Sequence, residues 1–236
     1  MSDITQRFST GAPQNLEQRF ASRAAHMKPS EIRSLFAVAS RPEIVSLAGG
    51  MPNLSALPMG MMADVVNNLV RDNGQEALQY GNGQGHPKLR EQICEVMALE
   101  GIRANPDDVL VTTGSQQALD LISRIFLDPQ DVVLAEAPSY VGALGTFHQY
   151  EASVVHVETD ENGLVPSALE EAIKSVRAAG RKIKFLYTIP NYQNPSGVLL
   201  PANRRTEILK ICREAGIFVV EDNPYGLLGF DKPSPN

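Results

Sequence analysis

From residue 109 to residue 221 the sequence repeats one pattern: a short run that is apolar throughout, a longer stretch with helical period, then another short apolar run. The short runs fall at 109–112, 131–135, 153–157, 183–187 and 217–221. The helical stretches between them fall at 115–127, 140–150, 166–179 and 201–215. A strand with no polar face must be covered on both sides, and a helical crossover returns the chain to a parallel neighbour. The expected fold is therefore α/β, a three-layer sandwich around a mostly parallel sheet. Upstream, helices are expected at 59–72 and 87–100, the second opened by Pro87 and closed by Gly101. A short helix at 30–39, ended by Pro42, and a brief strand-like run at 44–47 precede them.

Composition narrows the function. With 43% hydrophobic and 20% charged residues, the chain has the material for a packed core. A net charge of −6 offers no footprint for a phosphate backbone, so nucleic acid is not an expected partner. No apolar run approaches the roughly 18 residues of a membrane span, and the polar start at residues 1–6 lacks the apolar stretch of a signal peptide. No membrane association is expected, and the location is expected to be cytoplasmic. Cys94 and Cys212 read as two thiols buried in a reducing compartment. The histidines at 26, 86, 148 and 156 have no metal-ligand spacing, so no metal is expected.

In an open parallel sheet the ligand sits outside the carboxyl ends of the strands, so the residues following each strand carry the chemistry. After the run at 109–112 comes Gly114-Ser115-Gln116, a tight turn into a helix. Its N–H groups and dipole suit an anion such as a phosphate; Ser115 could equally be a plain helix cap. After 131–135 comes Glu136-Ala137-Pro138-Ser139-Tyr140, where Tyr140 could stack on a planar ring or simply pack. After 183–187 comes a loop holding Asn191, Asn194, Pro195 and Gly197. Asn194, directly before a proline, is biased to an extended conformation. After 217–221 come Asp222 and Tyr225. A carboxylate there needs a partner, and a protonated pyridine nitrogen would serve; a cap or an ion pair is the plainer alternative. The glycines at 81, 83 and 85 lack the preceding strand and the spacing of a dinucleotide site.

Six segments in order, SLAGGMPN (46–53), LQYGNGQGHPKLR (78–90), VLVTTGSQQALDL (109–121), EAPSY (136–140), IPNYQNPSG (189–197) and VVEDNPYG (219–226), resemble the class I/II aminotransferases of the aspartate-aminotransferase fold. The resemblance is greatest to the branch with 2-aminoadipate, kynurenine and aromatic aminotransferases. It implies pyridoxal 5′-phosphate as cofactor, with the phosphate on Ser115 and Gln116 and the ring against Tyr140. Asn194 and Tyr225 would bond the ring's phenolic oxygen, and Asp222 the ring nitrogen. Tyr80 would reach the phosphate of the other subunit of a homodimer, and Gly50 would line the substrate pocket together with Asn194. Residues 1–55 would be an arm of the small domain and substrate pocket, and 56–236 the cofactor-binding major domain. The implied reaction is ping-pong transamination between an amino acid and a 2-oxo acid, with Asp222 and Tyr225 supporting a Schiff-base lysine.

That lysine would follow the Asp222 strand by a few dozen residues. None of the lysines at 28, 88, 174, 182, 184, 210 and 232 has that context. The resemblance therefore implies a chain truncated before its lysine and C-terminal small domain, and inactive by itself. Another pyridoxal-phosphate reaction of the C–S lyase kind, or a noncatalytic cofactor-binding or dimerising fragment, is the alternative reading.

Overall fold

The computed structural model describes residues 19–26, 41, 43–45 and 54–230. The helix expected at 30–39 and the motif at 46–53, Gly50 included, lie outside them. Two helices come first, α1 (Met59–Ala77) and α2 (Pro87–Ala98). The alternating part then runs α3 (Ser115–Phe126), β1 (Val132–Ala137), α4 (Val141–Gln149), β2 (Ser153–Asp160), β3 (Gly163–Leu164), α5 (Pro166–Ala178), β4 (Ile183–Thr188), α6 (Ala202–Glu214) and β5 (Phe218–Glu221). The sheet order is β3-β2-β1-β4-β5. β1 pairs in parallel with β2 and β4, and β4 with β5; only the two-residue β3 is antiparallel.

The pleat explains why the strands are apolar on both sides. Val132 and Leu134 of β1 and Leu186 of β4 face one way, into a core with Leu169, Ile173 and Val176 of α5 and Ile208 and Cys212 of α6. Val133 and Ala135, with Phe185 and Tyr187, face the other way, onto Leu119 of α3 and Ala143 and Phe147 of α4. Two helices on each face make the three layers. The chain leaves β1 toward β2, then returns to the other side of β1 as β4. That reversal puts a crevice at the carboxyl ends of β1 and β4.

The strand expected at 109–112 does not form. Val109 is extended, but residues 109–112 carry no ladder. Val111 N–H donates to the Gln84 carbonyl at 2.9 Å, and Leu110 is half exposed. An apolar run becomes a strand only beside a strand edge, and no edge of the described residues lies along it. Ile44 and Val45 likewise belong to no strand, and Val45 is largely exposed. At the other extreme, α1 buries none of its residues. Among the described residues, no helix is long and apolar enough to cross a membrane.

Candidate functional site

The carboxyl edge of the sheet is tied together by side chains. From the β4–α6 loop, Gln193 Nε2 donates to the Pro138 carbonyl after β1 at 2.7 Å. From the same loop, Asn191 Nδ2 donates to Asn223 Oδ1 after β5 at 2.8 Å. Arg205 of α6 donates to Asn191 Oδ1 at 2.6 Å, and Asn223 Nδ2 donates to Glu100 Oε1 at 2.8 Å. Asp222 N–H donates to the Thr188 carbonyl at 2.9 Å. The loops after β1, β4 and β5 are thus fixed relative to one another, and each carries one of the expected site residues.

At the start of α3 the cap residue is Gly114, with φ 81°, a left-handed conformation that glycine adopts at little cost. No side chain caps the helix, so Ser115 is its first helical residue and the capping alternative fails. Thr113 is occupied locally: its N–H and hydroxyl both donate to Gln117 Oε1 at 2.6 Å. Ser115 and Gln116 N–H donate to no backbone acceptor outside the helix among the described residues. Uncapped first-turn N–H groups at the positive end of a 12-residue helix are suited to an anion. The Gln116 side chain donates to Thr146 of α4, which is 2% exposed, and so joins the start of α3 to α4.

Tyr140 stands immediately before α4, half-buried against the α3/α4 core. Its ring lies over Gly142, where a Cβ would come within 2.4–2.7 Å of the ring atoms Cζ, Oη and Cε1. Glycine there is what allows the ring to lie down on the helix start. Asn194 is half-buried, forms no side-chain hydrogen bond among the described residues, and precedes Pro195 through a cis peptide. Tyr225 is half-buried and Tyr80 fully exposed.

Asp222 accepts a hydrogen bond from the Tyr187 hydroxyl at 2.7 Å, and no cation among the described residues pairs with it. Tyr187 is completely buried; burial, and then the Asp222 carboxylate, push its phenol far above the usual range, so it stays a neutral donor. Glu136 at the end of β1 is 1% exposed. It accepts from the Thr188 hydroxyl (2.8 Å), Ile189 N–H (3.0 Å) and Gln193 Nε2 (3.4 Å). Burial raises its carboxyl above the ordinary value, against the lowering effect of those donors.

Glu136, Tyr187 and Gln193 shape the site without being singled out by the sequence. Glu136 carried the same signal as Asp222, a carboxylate closing an apolar run. Tyr187 looked like another apolar strand residue. The partner such a carboxylate needs can be neutral: Glu136 is satisfied by three neutral donors.

These residues fit pyridoxal phosphate: an uncapped helix start for the phosphate, a ring lying over a glycine, and an uncompensated carboxylate for a cationic nitrogen. Among the described residues, Lys88, Lys174, Lys184 and Lys210 are engaged elsewhere. Lys184 begins β4, at the opposite end of the sheet, paired with Asp131 at 2.9 Å. Lys88, Lys174 and Lys210 pair with Glu91, Glu170 and Glu214 along their own helices.

The sequence profile of the family "Aminotransferase class I and II" matches residues 43–236. The chain is 38% identical over 215 residues to aromatic-amino-acid aminotransferase 1 of Thermococcus litoralis, covering 91% of this chain and 52% of that protein. It is 39% identical over 218 residues to 2-aminoadipate transaminase of Thermus thermophilus, covering 92% and 52%. The crystal structure of Pyrococcus horikoshii kynurenine aminotransferase, in complex with PMP, superposes with a TM-score of 0.86 at 37% identity, covering 94% of this chain and 55% of that one. The chain therefore spans about half the length of the relatives it matches. A profile match running through the strand-end loops, on the fold those relatives share, decides the matter: this chain belongs to the aminotransferase class I and II family.

Proposed function

We propose that this chain is the cofactor-binding part of a pyridoxal-phosphate-dependent aminotransferase, moving an amino group from an amino acid to a 2-oxo acid. Asp222 carries the reading. Among the described residues, this carboxylate at the carboxyl edge of the sheet accepts one hydrogen bond, from a neutral phenol, and its second oxygen is left for a cation. When bound, pyridoxal phosphate supplies an electron-withdrawing ring that stabilises negative charge on the substrate's α-carbon.

The residues of the chain do the holding. Ser115 and Gln116, at the start of α3, take the phosphate. Tyr140 covers one ring face, and Asn194 and Tyr225 donate to the phenolic oxygen. Asp222 keeps the ring nitrogen protonated. Tyr80, fully exposed, extends to the phosphate of a second copy in a homodimer, and Gly50 and Asn194 border the substrate. For the whole protein, the names of the relatives favour aromatic or 2-aminoadipate-type amino donors. Two unpaired cysteines support a reducing, cytoplasmic setting.

Spectral titration of the chain with pyridoxal phosphate, before and after borohydride, tests this. The expected result is saturable binding with no reduced adduct at a single lysine, weakened roughly tenfold or more in Asp222→Ala by loss of a charge-assisted contact. Absence of saturable binding would overturn the reading. An adduct at one specific lysine would overturn the assignment of a site that holds its cofactor without a covalent link.

A further inference from the structure

Among the buried groups behind the site, Tyr187 has the most constrained geometry. The residue is 0% exposed, and its ring meets that of Phe147 edge-to-face at 5.5 Å and 73°. Phe147 is itself fully buried on α4. With backbone, ring and neighbour all fixed, the phenol has one place to point. It donates to Asp222 Oδ2 at 2.7 Å. The other carboxylate oxygen accepts no hydrogen bond among the described residues. Asp222 stands just beyond β5, outside the ladder, with its N–H held by Thr188. The Tyr187 bond is the side-chain hydrogen bond that holds its carboxylate among the described residues.

We propose that Tyr187 is a positioning residue: it fixes the Asp222 carboxylate so that its second oxygen is presented to a protonated ring nitrogen. The inference rests on the reading of Asp222 given above. The charged and titratable groups facing the phenol are Asp222 from the β5 end, Glu136 from β1 and Tyr140 from the start of α4. Burial, then the Asp222 carboxylate and the Glu136 side chain, push its ionisation far above the usual range, so it remains a donor. Asp222 is then oriented before the cofactor arrives, and binding does not have to order it. The role belongs to the hydroxyl alone, because Phe147 and the rest of the core hold the ring whether or not it carries oxygen.

The test compares pyridoxal phosphate with its deaza analogue, in which C–H replaces the ring nitrogen. Tyr187→Phe is expected to weaken pyridoxal phosphate about tenfold, the size of one hydrogen bond to a charged group, and the deaza analogue less than about twofold. In an Asp222→Ala background the same change should have no further effect. If Tyr187→Phe folds poorly, both apparent affinities fall together, so the ratio of the two is the quantity read. Tyr187→Leu gives a second value of that ratio. An unchanged ratio would overturn the proposal, whether both affinities fall or neither does. If the unaltered chain binds neither compound, the cofactor reading fails and this one with it. If the unaltered chain binds and Asp222→Ala weakens it but Tyr187→Phe does not, only this one fails.

Discussion

At the scale of single residues, the site depends on polar groups whose positions are decided by what surrounds them. Glu136 has three donors aimed at it and almost no solvent. Glu136→Ala strands those donors and is expected to cost about 3 kcal/mol of stability. Glu136→Gln can keep an acceptor toward Ile189 N–H and donate to the Thr188 hydroxyl, and should cost much less. Because burial raises the folded-state pKa of Glu136, its contribution to stability is present in full below the usual glutamate range. That contribution is lost as pH rises through the raised value. Chemical denaturation as a function of pH should therefore show stability declining above the usual glutamate range in the unaltered chain, and a flatter profile in Glu136→Gln. Gly142 makes a second residue-scale case. Gly142→Ala places a methyl against the Tyr140 ring. It is expected to weaken pyridoxal phosphate several-fold by lifting the ring, while melting changes little, since the ring can swing outward.

At the scale of elements, burial separates those that hold the fold from those that do not. Phe147 of α4 is fully enclosed, with ring contacts to Phe185 and Tyr187 at 5.5 Å. Phe147→Ala should cost about 3–5 kcal/mol. Val66 of α1 is more than half exposed, and Val66→Ala should stay within about 0.5 kcal/mol. Denaturant midpoints at constant slope would measure both. The same contrast governs the cysteines. Cys212 sits at 1% exposure between α6 and the sheet, and burial pushes its thiol up to about 11, whereas Cys94 on α2 is only partly covered. Brief alkylation near neutral pH, followed by peptide mass analysis, should label Cys94 and spare Cys212. Element identity was legible from the sequence because period and breakers act locally: Pro87, Pro166 and Pro201 open helices, and Gly101, Gly180 and Gly216 close turns. The run at 109–112 has the same composition as the strands that formed. It lacks a neighbour, and composition does not report one.

At the scale of the whole molecule, the sheet order explains why residues as distant in sequence as Tyr140 and Tyr225 belong to one edge. Every strand from β1 onward except β3 runs the same way, so every loop that follows a parallel strand emerges on the same side. If the homodimer proposed above forms, sedimentation should show a two-chain species. Tyr80→Ala should then lower cofactor affinity without moving the melting temperature. The sequence by itself determined the α/β class, the order of most elements to within a few residues, and the loops in which candidate cofactor contacts are sought, because strand period, helix period and strand-end loops are written in consecutive residues. Only the tertiary structure decided that 109–112 is unpaired, that Glu136 is satisfied without a cation, and that Tyr187 holds Asp222. Each of these depends on a partner lying 27 to 57 residues away in sequence or on none at all, and what a side chain or a strand meets across the sheet is fixed by packing rather than by its neighbours in the chain.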